Sequence, residues 1–250
     1  VYKRQNETFD TFRRVMLDGD IEPKTDPETR PAKAIGPPMI ALNVAQTLRS
    51  TVGGPALDTF IDSLIATIRD DFVKPSHEAV LEVVAPDGSI IDHAAERTLN
   101  PGHAIEAAWF VLEESRYRGG DAELTQLGCT ILDWMWKRGW DETHGGLFAF
   151  TSLDGEPMLE PGHDLKYWWP HCEAIIATLL AWEMTGEAKY AEWFALVDDW
   201  CEAHFRDREF GEWFGYLHRD GSPALTVKGN HWKGPFHVPR MQLVCSSLLA

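Results

Sequence analysis

The segment DETHGGLFAFTSLDG, residues 141–155, decides the fold, because it returns without a gap as DREFGEWFGYLHRDG at residues 207–221. A weaker copy runs over residues 74–88 and ends in HEAVLEVVAPDG. Each copy is a short alternating run that closes on Asp-Gly, the dipeptide that favours a tight two-residue β-hairpin. The Asp-Gly pairs at 87–88, 154–155 and 220–221 are 67 and 66 residues apart. A fixed period of this length predicts stacked supersecondary units that share one core.

The segments between these short β-excursions carry apolar residues at three- and four-residue spacing, which predicts amphipathic helices. Pro55 and Asp121 mark helix starts, and Gly186 marks a helix end. The repeat unit is therefore an inner helix, an outer helix and a β-excursion. The predicted helices cover residues 38–52, 55–73, 103–118, 121–139, 170–186, 188–205 and 237–250, with one more near 6–18.

A histidine opens a helix 16 or 17 residues after each Asp-Gly pair: His103, His171 and His237. One such histidine is more often a capping or packing residue, but core positions of a repeat are usually apolar, so the recurrence indicates a shared axis. An open solenoid would spread the three side chains along a surface, whereas a closed ring of helical hairpins brings them together. Six hairpins at this period need about 400 residues. The sequence thus predicts one domain over residues 1–250, an incomplete ring truncated at its N-terminus and slightly at its C-terminus.

The composition narrows the function classes. A formal net charge of −16 with no basic cluster argues against nucleic-acid binding. Four single cysteines without CxxC spacing indicate reduced, buried thiols in a cytoplasmic protein. No apolar run is long enough to span a membrane. The 11 tryptophans suit either a core or a groove where indole rings stack on sugar faces.

The neighbours of two histidines indicate acid–base chemistry. His103 and Glu106 are spaced i, i+3 and share a helix face, and His237 and Arg240 have the same spacing. The positive end of the helix dipole disfavours an imidazolium in the first turn, so we expect neutral imidazoles that can act as general bases. Glu106 can orient a histidine or raise its basicity, and Arg240 can hold a hydroxyl or an oxyanion. Without HExxH or a third ligand at zinc spacing, the sequence predicts no metal site.

The stretch GEWFGYLHRDGSPALTVKGNHWKGPFHVPRM, residues 211–241, resembles the C-terminal signature of the N-acylglucosamine 2-epimerase family. PGHAIEAAWFVLE at 101–113 and DLKYWWPHCEAIIA at 164–177 resemble two preceding family blocks in the same order, and PPMIALNVAQTL at 37–48 resembles an earlier inner helix. This resemblance spans nearly the whole chain. It implies an all-α (α/α)6 barrel and an aldose 2-epimerase that works without a metal or redox cofactor.

The resemblance also implies residue roles. His103 in GHxxE and His237 in FHVPR are expected to exchange the C2 proton of an open-chain sugar from opposite faces. His171 is expected to have a binding or a structural role. ATP activates some family members, and because this chain has no P-loop it is only an open option here. The residues expected to bind substrate or support the site are Glu106, Glu173, Arg240, Trp169, His171 and Asn43.

Several alternatives stay open at this point. Asn43 in MIALN and the FHVPR ending favour N-acetylglucosamine and N-acetylmannosamine over cellobiose, while a mannose or glucose epimerase or an aldose–ketose isomerase is the rival within the family. An inverting glycoside hydrolase on the same toroid would need two carboxylates about 6.5–9.5 Å apart. The family includes a renin-binding protein, so a non-catalytic interaction protein that uses the toroid as a scaffold is a further alternative. The expected partner is a small sugar, and a homodimer is compatible with the resemblance.

Overall fold

The computed structural model describes residues 2–17, 26 and 28–250 of the chain. Every predicted helix is present, although residue 18, the last of the first predicted helix, lies outside the described residues. The third helix ends earlier than expected, at Thr67, and continues as one π-helical turn over Ile68–Phe72. The helices are α1 (Tyr2–Met16), α2 (Gly36–Val52), α3 (Pro55–Thr67), α4 (Pro101–Tyr117), α5 (Ala122–Gly139), α6 (Trp168–Thr185), α7 (Ala188–His204) and α8 (His237–Leu248).

The helices form two layers. α4 packs against α2, α5 and α6, and α6 packs against α4, α7 and α8, so α2, α4, α6 and α8 follow one another as an inner row. α3, α5 and α7 pair with them from outside as hairpins. The sequence explains the division, because residues 174–181 of α6 are apolar apart from one threonine and are all buried. A helix that is apolar all round has to be covered on every side.

Short strands lie in the excursions between hairpins. They pair as β1 with β4, β2 with β3, β5 with β6, and β7 with β8 and β9, all antiparallel. Since β5 and β7 directly precede α4 and α6, the excursions lie at the N-terminal ends of the inner helices. The strands are β1 (Lys33–Ala34), β2 (Val73–Lys74), β3 (Ala79–Val80), β4 (Val83–Val84), β5 (Thr98–Leu99), β6 (Thr151–Ser152), β7 (Lys166–Tyr167), β8 (Tyr216–Leu217) and β9 (Pro223–Leu225).

The Asp-Gly turns differ from the predicted two-residue hairpins. At the third copy the backbone N–H of His218 donates to the carbonyl of Ser222, which leaves three residues in the loop. Gly221 has φ +86°, the left-handed conformation that such a three-residue loop needs. The first copy closes in the same way between residues 85 and 89. At the second copy, β6 pairs with β5 of the preceding excursion, so the turn at 154–155 joins no pair of described strands.

A buried ion network ties neighbouring excursions together. Asp141 accepts hydrogen bonds from Lys166 Nζ at 3.1 Å and from Arg219 Nε at 2.7 Å. Burial acts to raise the pKa of Asp141, but these two cations and the backbone N–H of Thr143 hold it well below its ordinary value. Lys166 is fully buried, and that burial lowers its pKa to about 8. The network fixes the loops at the end of the barrel where the repeat histidines lie.

Two expectations from composition are also met. All four cysteines are buried and free, as predicted. Within the described ranges, none of the helices combines the length and the apolar character that crossing a membrane requires.

Candidate functional site

The site begins with an indole ring that contacts two of the repeat histidines. His103 is the third residue of α4, Trp169 the second of α6, and His237 the first of α8. The ring centroids of His103 and Trp169 are 4.9 Å apart, and those of Trp169 and His237 are 5.8 Å apart. The side chains of His103 and His237 are 31% and 20% exposed, so both are accessible from outside. Three inner helices therefore bring two imidazoles against one aromatic ring.

Below this pair, Arg240 joins two buried carboxylates. Its Nη2 donates to Glu173 Oε1 at 2.7 Å and also to Glu106 Oε1. The guanidinium lies over the rings of Trp109, at 5.2 Å, and Phe236, at 4.5 Å. The i, i+3 spacing of Arg240 and His237 brings Arg240 Nη2 to 3.4 Å from the ring Nδ1 of the histidine. Glu106 thus pairs with an arginine of another helix, while no hydrogen bond links it to His103 within the described chain.

Glu173 is the carboxylate partner of His237. Its Oε1 accepts from His237 Nδ1 at 2.6 Å, and its Oε2 accepts from Trp109 Nε1 at 2.7 Å. Burial acts to raise the pKa of Glu173, but the hydrogen bonds and charges of His237 and Arg240 lower it below its ordinary value. For Glu106, burial and the nearby charge of Glu173 outweigh Arg240 and raise the pKa. Of the two carboxyl groups, Glu106 therefore takes up a proton more readily than Glu173.

His103 has a carboxylate partner of its own that the sequence did not reveal. Glu82, between β3 and β4, places both carboxylate oxygens 3.0 Å from His103 Nδ1. Burial acts to lower the pKa of His103, but the hydrogen bond and charge of Glu82, together with Glu106 and Glu173, raise it. The expectation from the helix dipole was in the opposite direction and is wrong for His103. Full negative charges close to the ring outweigh the partial charge at a helix end.

His171 lies apart from this site. It is fully buried, its Nε2 accepts from the backbone N–H of Leu147 at 2.8 Å, and its Nδ1 donates to the carbonyl of Tyr167 at 2.6 Å. Its ring stacks on Trp200, and burial lowers its pKa to about 3. Of the two roles left open for His171, binding and structural, these contacts fit the structural one, since both ring nitrogens are used by backbone. Asn43 is half-buried in α2, and within the described residues it makes no hydrogen bond to the site.

The site also contains three groups that could serve as metal ligands. One atom each from Glu106, Glu173 and His237 lie within 4.8 Å of one another. Arg240 Nη2, however, bonds to both carboxylates and so supplies the positive charge that a metal cation would bring.

The distance between Glu106 and Glu173 also tests the alternative of an inverting glycoside hydrolase. The two carboxylates are closer together than the gap of about 6.5–9.5 Å in which an inverting hydrolase holds its water.

Two further site residues, Glu82 and Asn100, have a recognisable signal in the sequence. Glu82 lies five positions before Asp87, and the matching positions of the other two copies hold Ala149 and Gly215. A carboxylate in a position that otherwise holds small residues is an exception to the repeat. Asn100, directly before Pro101, has the pattern of a helix N-cap. Its Oδ1 accepts from the backbone N–H of His103 at 3.1 Å, which fixes the first turn of α4.

The structure thus has two histidine–carboxylate pairs at one end of stacked helical hairpins, as expected for an enzyme built on a ring of such hairpins. Known proteins show which family of this kind the chain belongs to. The sequence profile of the N-acylglucosamine 2-epimerase (GlcNAc 2-epimerase) family matches residues 25–238, so the chain belongs to this family. An N-acylglucosamine 2-epimerase of Bos taurus is 39% identical over 226 residues, which cover 87% of this chain and 52% of the relative. That of Homo sapiens is 40% identical over 178 residues, or 71% of this chain and 42% of the relative. The chain spans about half the length of the curated relatives that it matches.

Solved structures agree on the fold. A D-mannose isomerase superposes with a TM-score of 0.72 at 20% identity, covering 90% of this chain and 57% of that one. A cellobiose 2-epimerase from Spirochaeta thermophila gives 0.73 at 24% identity, covering 87% and 52%. These neighbours are (α/α)6 barrels, so the predicted fold class is confirmed.

Proposed function

We propose that the protein containing this chain is a sugar 2-epimerase that interconverts N-acetylglucosamine and N-acetylmannosamine. The observation that carries the proposal is the pair of imidazoles, His103 and His237, that contact one indole ring and are both accessible. Relatives about 40% identical to this chain carry the name N-acylglucosamine 2-epimerase, which supports the substrate class.

The reaction needs two groups that exchange a proton at one carbon. In the open-chain sugar the C1 aldehyde acidifies the hydrogen on C2. One neutral imidazole takes this proton as the C2–H bond breaks, and the electron pair forms a C1–C2 double bond while negative charge develops on O1, which gives an enolate-type intermediate. The second imidazole, protonated, gives its proton to C2 on the opposite face, which inverts the stereocentre. The two histidines then have exchanged their protonation states; the first loses its proton to solvent and the second takes one up, which restores the starting form.

The hydrogen bonds of the two rings favour this division of work. Each ring presents Nδ1 to a carboxylate, Glu82 for His103 and Glu173 for His237. Such a bond fixes the tautomer with hydrogen on Nδ1, and that leaves Nε2 as the basic nitrogen. No hydrogen bond to either Nε2 is formed within the described residues, so both nitrogens are available for a substrate.

Arg240 suits the charge that develops on the sugar oxygens during this reaction. Its side chain is 13% exposed, and the guanidinium is held by two carboxylates and the aromatic rings around it. A cation fixed in advance stabilises a developing oxyanion without reorganisation. The site therefore needs no metal or redox cofactor for proton transfer, in line with the family resemblance. The proposal also includes a homodimer and a cytoplasmic location, in amino-sugar metabolism. The location is supported by the four free, buried cysteines. ATP stays an open option as an activator, on the family resemblance alone.

A second function within the family has specific support. A D-mannose isomerase of Pseudomonas cannabina pv. alisalensis is 31% identical over 139 residues of this chain. The same two histidines could exchange the C2 proton of mannose or glucose, as an epimerase does, or move it from C2 to C1, as an aldose–ketose isomerase does. An inverting glycoside hydrolase is disfavoured, because Arg240 bonds to both buried carboxylates and oxygens of the two lie within 4.8 Å, closer than the separation of about 6.5–9.5 Å that such an enzyme uses.

The test is isotope exchange in deuterated water with the full-length protein. With N-acetylglucosamine we expect N-acetylmannosamine that carries deuterium at C2, detected by NMR and mass spectrometry. His103→Ala and His237→Ala should each abolish epimerisation, while His218→Ala, at the third Asp-Gly turn, should retain it. Exchange only with mannose or glucose would refute the substrate, and absence of exchange with every sugar would refute the epimerase.

A further inference from the structure

The feature of interest is a competition for one nitrogen of His103. Its Nδ1 lies 3.0 Å from both carboxylate oxygens of Glu82 and 3.1 Å from the side-chain nitrogen of Asn100. These two partners demand opposite forms of the ring. Glu82 accepts, so it requires hydrogen on Nδ1, whereas the amide of Asn100 donates and requires Nδ1 to be bare. In the second case the hydrogen of a neutral ring is on Nε2, which can then no longer take a proton.

We propose that Glu82 is the positioning residue of His103: it holds the hydrogen on Nδ1 against Asn100 and so keeps Nε2 as the base. The bond to a carboxylate is charge-assisted and is stronger than a bond from a neutral amide. Both carboxylate oxygens of Glu82 lie at hydrogen-bond distance from Nδ1, whereas Asn100 offers a single amide nitrogen there. This inference rests on the proposed function, because it assigns a role within the same proton transfer.

The repeat argues against a purely structural reason for Glu82. Its carbonyl accepts from the backbone N–H of Ile35, at the start of α2, and the carbonyl of Gly215 accepts from Trp168, at the start of α6. The two positions are therefore equivalent in the fold, and the second copy has Ala149 there. The excursions hold their shape through backbone bonds with no long side chain at this position. The fold therefore does not require a carboxylate at this position, and both oxygens of Glu82 contact His103 Nδ1.

The charged groups that face His103 allow a directional prediction for its ionisation. They are Glu82 from the β3–β4 connection, Glu106 from α4 and Glu173 from α6. All three favour the imidazolium, and Glu82 is the one that also forms a hydrogen bond. Replacing Glu82 by a neutral residue should therefore lower the pKa of His103. In the sugar direction in which His103 is the base, the acid limb of the kcat profile should move to lower pH.

The experiment reads the ring directly. The full-length protein is labelled with ¹⁵N-histidine, and the shifts of His103 are assigned by their loss in His103→Ala. In the wild type at a pH where the ring is neutral, we expect a protonated Nδ1 and a bare Nε2. Glu82→Ala should reverse this pattern and lower kcat by about 10- to 100-fold, with KM changed less. Glu78→Ala, an exposed carboxylate of the same excursion that pairs with Lys137, is the matched control and should change neither.

A rescue variant distinguishes loss of the carboxylate at His103 Nδ1 from a general loss of folded structure in Glu82→Ala. Asn100→Asp keeps an oxygen to cap the N–H of His103 and places a carboxylate beside Nδ1. Combined with Glu82→Ala, it should restore the Nδ1-protonated ring and part of the lost kcat. An unchanged tautomer in Glu82→Ala overturns the inference, and so does a normal kcat in that variant of an active enzyme. If the wild type exchanges no sugar, the proposed function fails and the catalytic role fails with it, while the ring shifts still decide whether Glu82 sets the tautomer.

Discussion

Removal of the guanidinium of Arg240 is the sharpest test of how the site is held together. Arg240→Met keeps an apolar stem among Trp109 and Phe236 but leaves Glu106 and Glu173 without their shared cation. Both carboxylates are buried, and breaking a buried ion pair costs about 3–5 kcal/mol of unfolding free energy. For a chain of this size, 1 kcal/mol corresponds to about 2–4 °C, so we expect Tm to fall by about 6–20 °C.

The pH dependence of the loss identifies its cause. Arg240 is one of the groups that lower the pKa of Glu106, so the pKa rises further in its absence. A carboxyl group whose pKa is raised in the folded protein contributes its stability at low pH and loses it as pH rises through the folded value. The difference in Tm between wild type and Arg240→Met should therefore be larger at pH 8 than at pH 5.

Thermal unfolding followed by circular dichroism at both pH values provides the measurement. Arg116→Met is the control, since Arg116 is 47% exposed and pairs with Glu113 on the surface of α4, a type of pair worth about 0–1 kcal/mol. The reasoning is refuted if Arg240→Met costs no more than the control, or if its cost is the same at pH 5 and pH 8. Epimerisation should be lost at temperatures where the variant is folded, because the developing oxyanion has no fixed cation.

Three further predictions concern the stability and the chemistry of the chain. Glu114 is fully buried and pairs with Arg118, directly after the same helix, and with Arg49 of α2, so Glu114→Ala should lower the unfolding free energy by about 3–5 kcal/mol in a urea titration. Its neighbour Glu113 pairs with Arg116 on the surface of α4, and Glu113→Ala should change the unfolding free energy by less than about 1 kcal/mol. Burial lowers the pKa of Lys166 to about 8 in the folded protein, against 10.5 in the unfolded chain, so the folded state loses its proton first. The unfolding free energy should therefore rise by about 3 kcal/mol between pH 8 and pH 10.5. Lys166→Met should flatten this rise, and an unchanged dependence of the unfolding free energy on pH would contradict the assignment. Chelation with EDTA should leave epimerisation unchanged, since Arg240 already supplies the cation between the carboxylates, and activity that returns only with added metal would disprove this.

The sequence predicted the helices well because their signals are local. Apolar periodicity, Pro55 and Asp121 at helix starts, and Gly186 at a helix end all act within one or two turns. The repeat also placed His103 and His237 at equivalent helix starts, and a ring of hairpins was the arrangement that brings such positions together. The Asp-Gly turns were located correctly, but their three-residue loops depend on strand pairing that a dipeptide does not specify.

Partners within the site followed from tertiary structure alone. The i, i+3 rule paired His103 with Glu106, yet Glu106 bonds to Arg240, 134 residues away, and His103 bonds to Glu82 from a preceding excursion. Spacing along a helix predicts which side chains share a face, but it does not predict which residues of other elements form hydrogen bonds with them. The direction of the pKa shift at His103 was missed for the same reason, because it depends on carboxylates from other elements.

By itself the sequence determined the helical repeat, the inner row of helices and the end of the barrel that carries the histidines, since these depend on patterns repeated within each unit. Only the tertiary structure decided which carboxylate serves which histidine, that His171 bonds to backbone, and that Arg240 lies between two buried acids. The physical reason is that hydrogen bonds and buried charges act over a few ångströms in space. The side chains brought within that range here come from three different repeats.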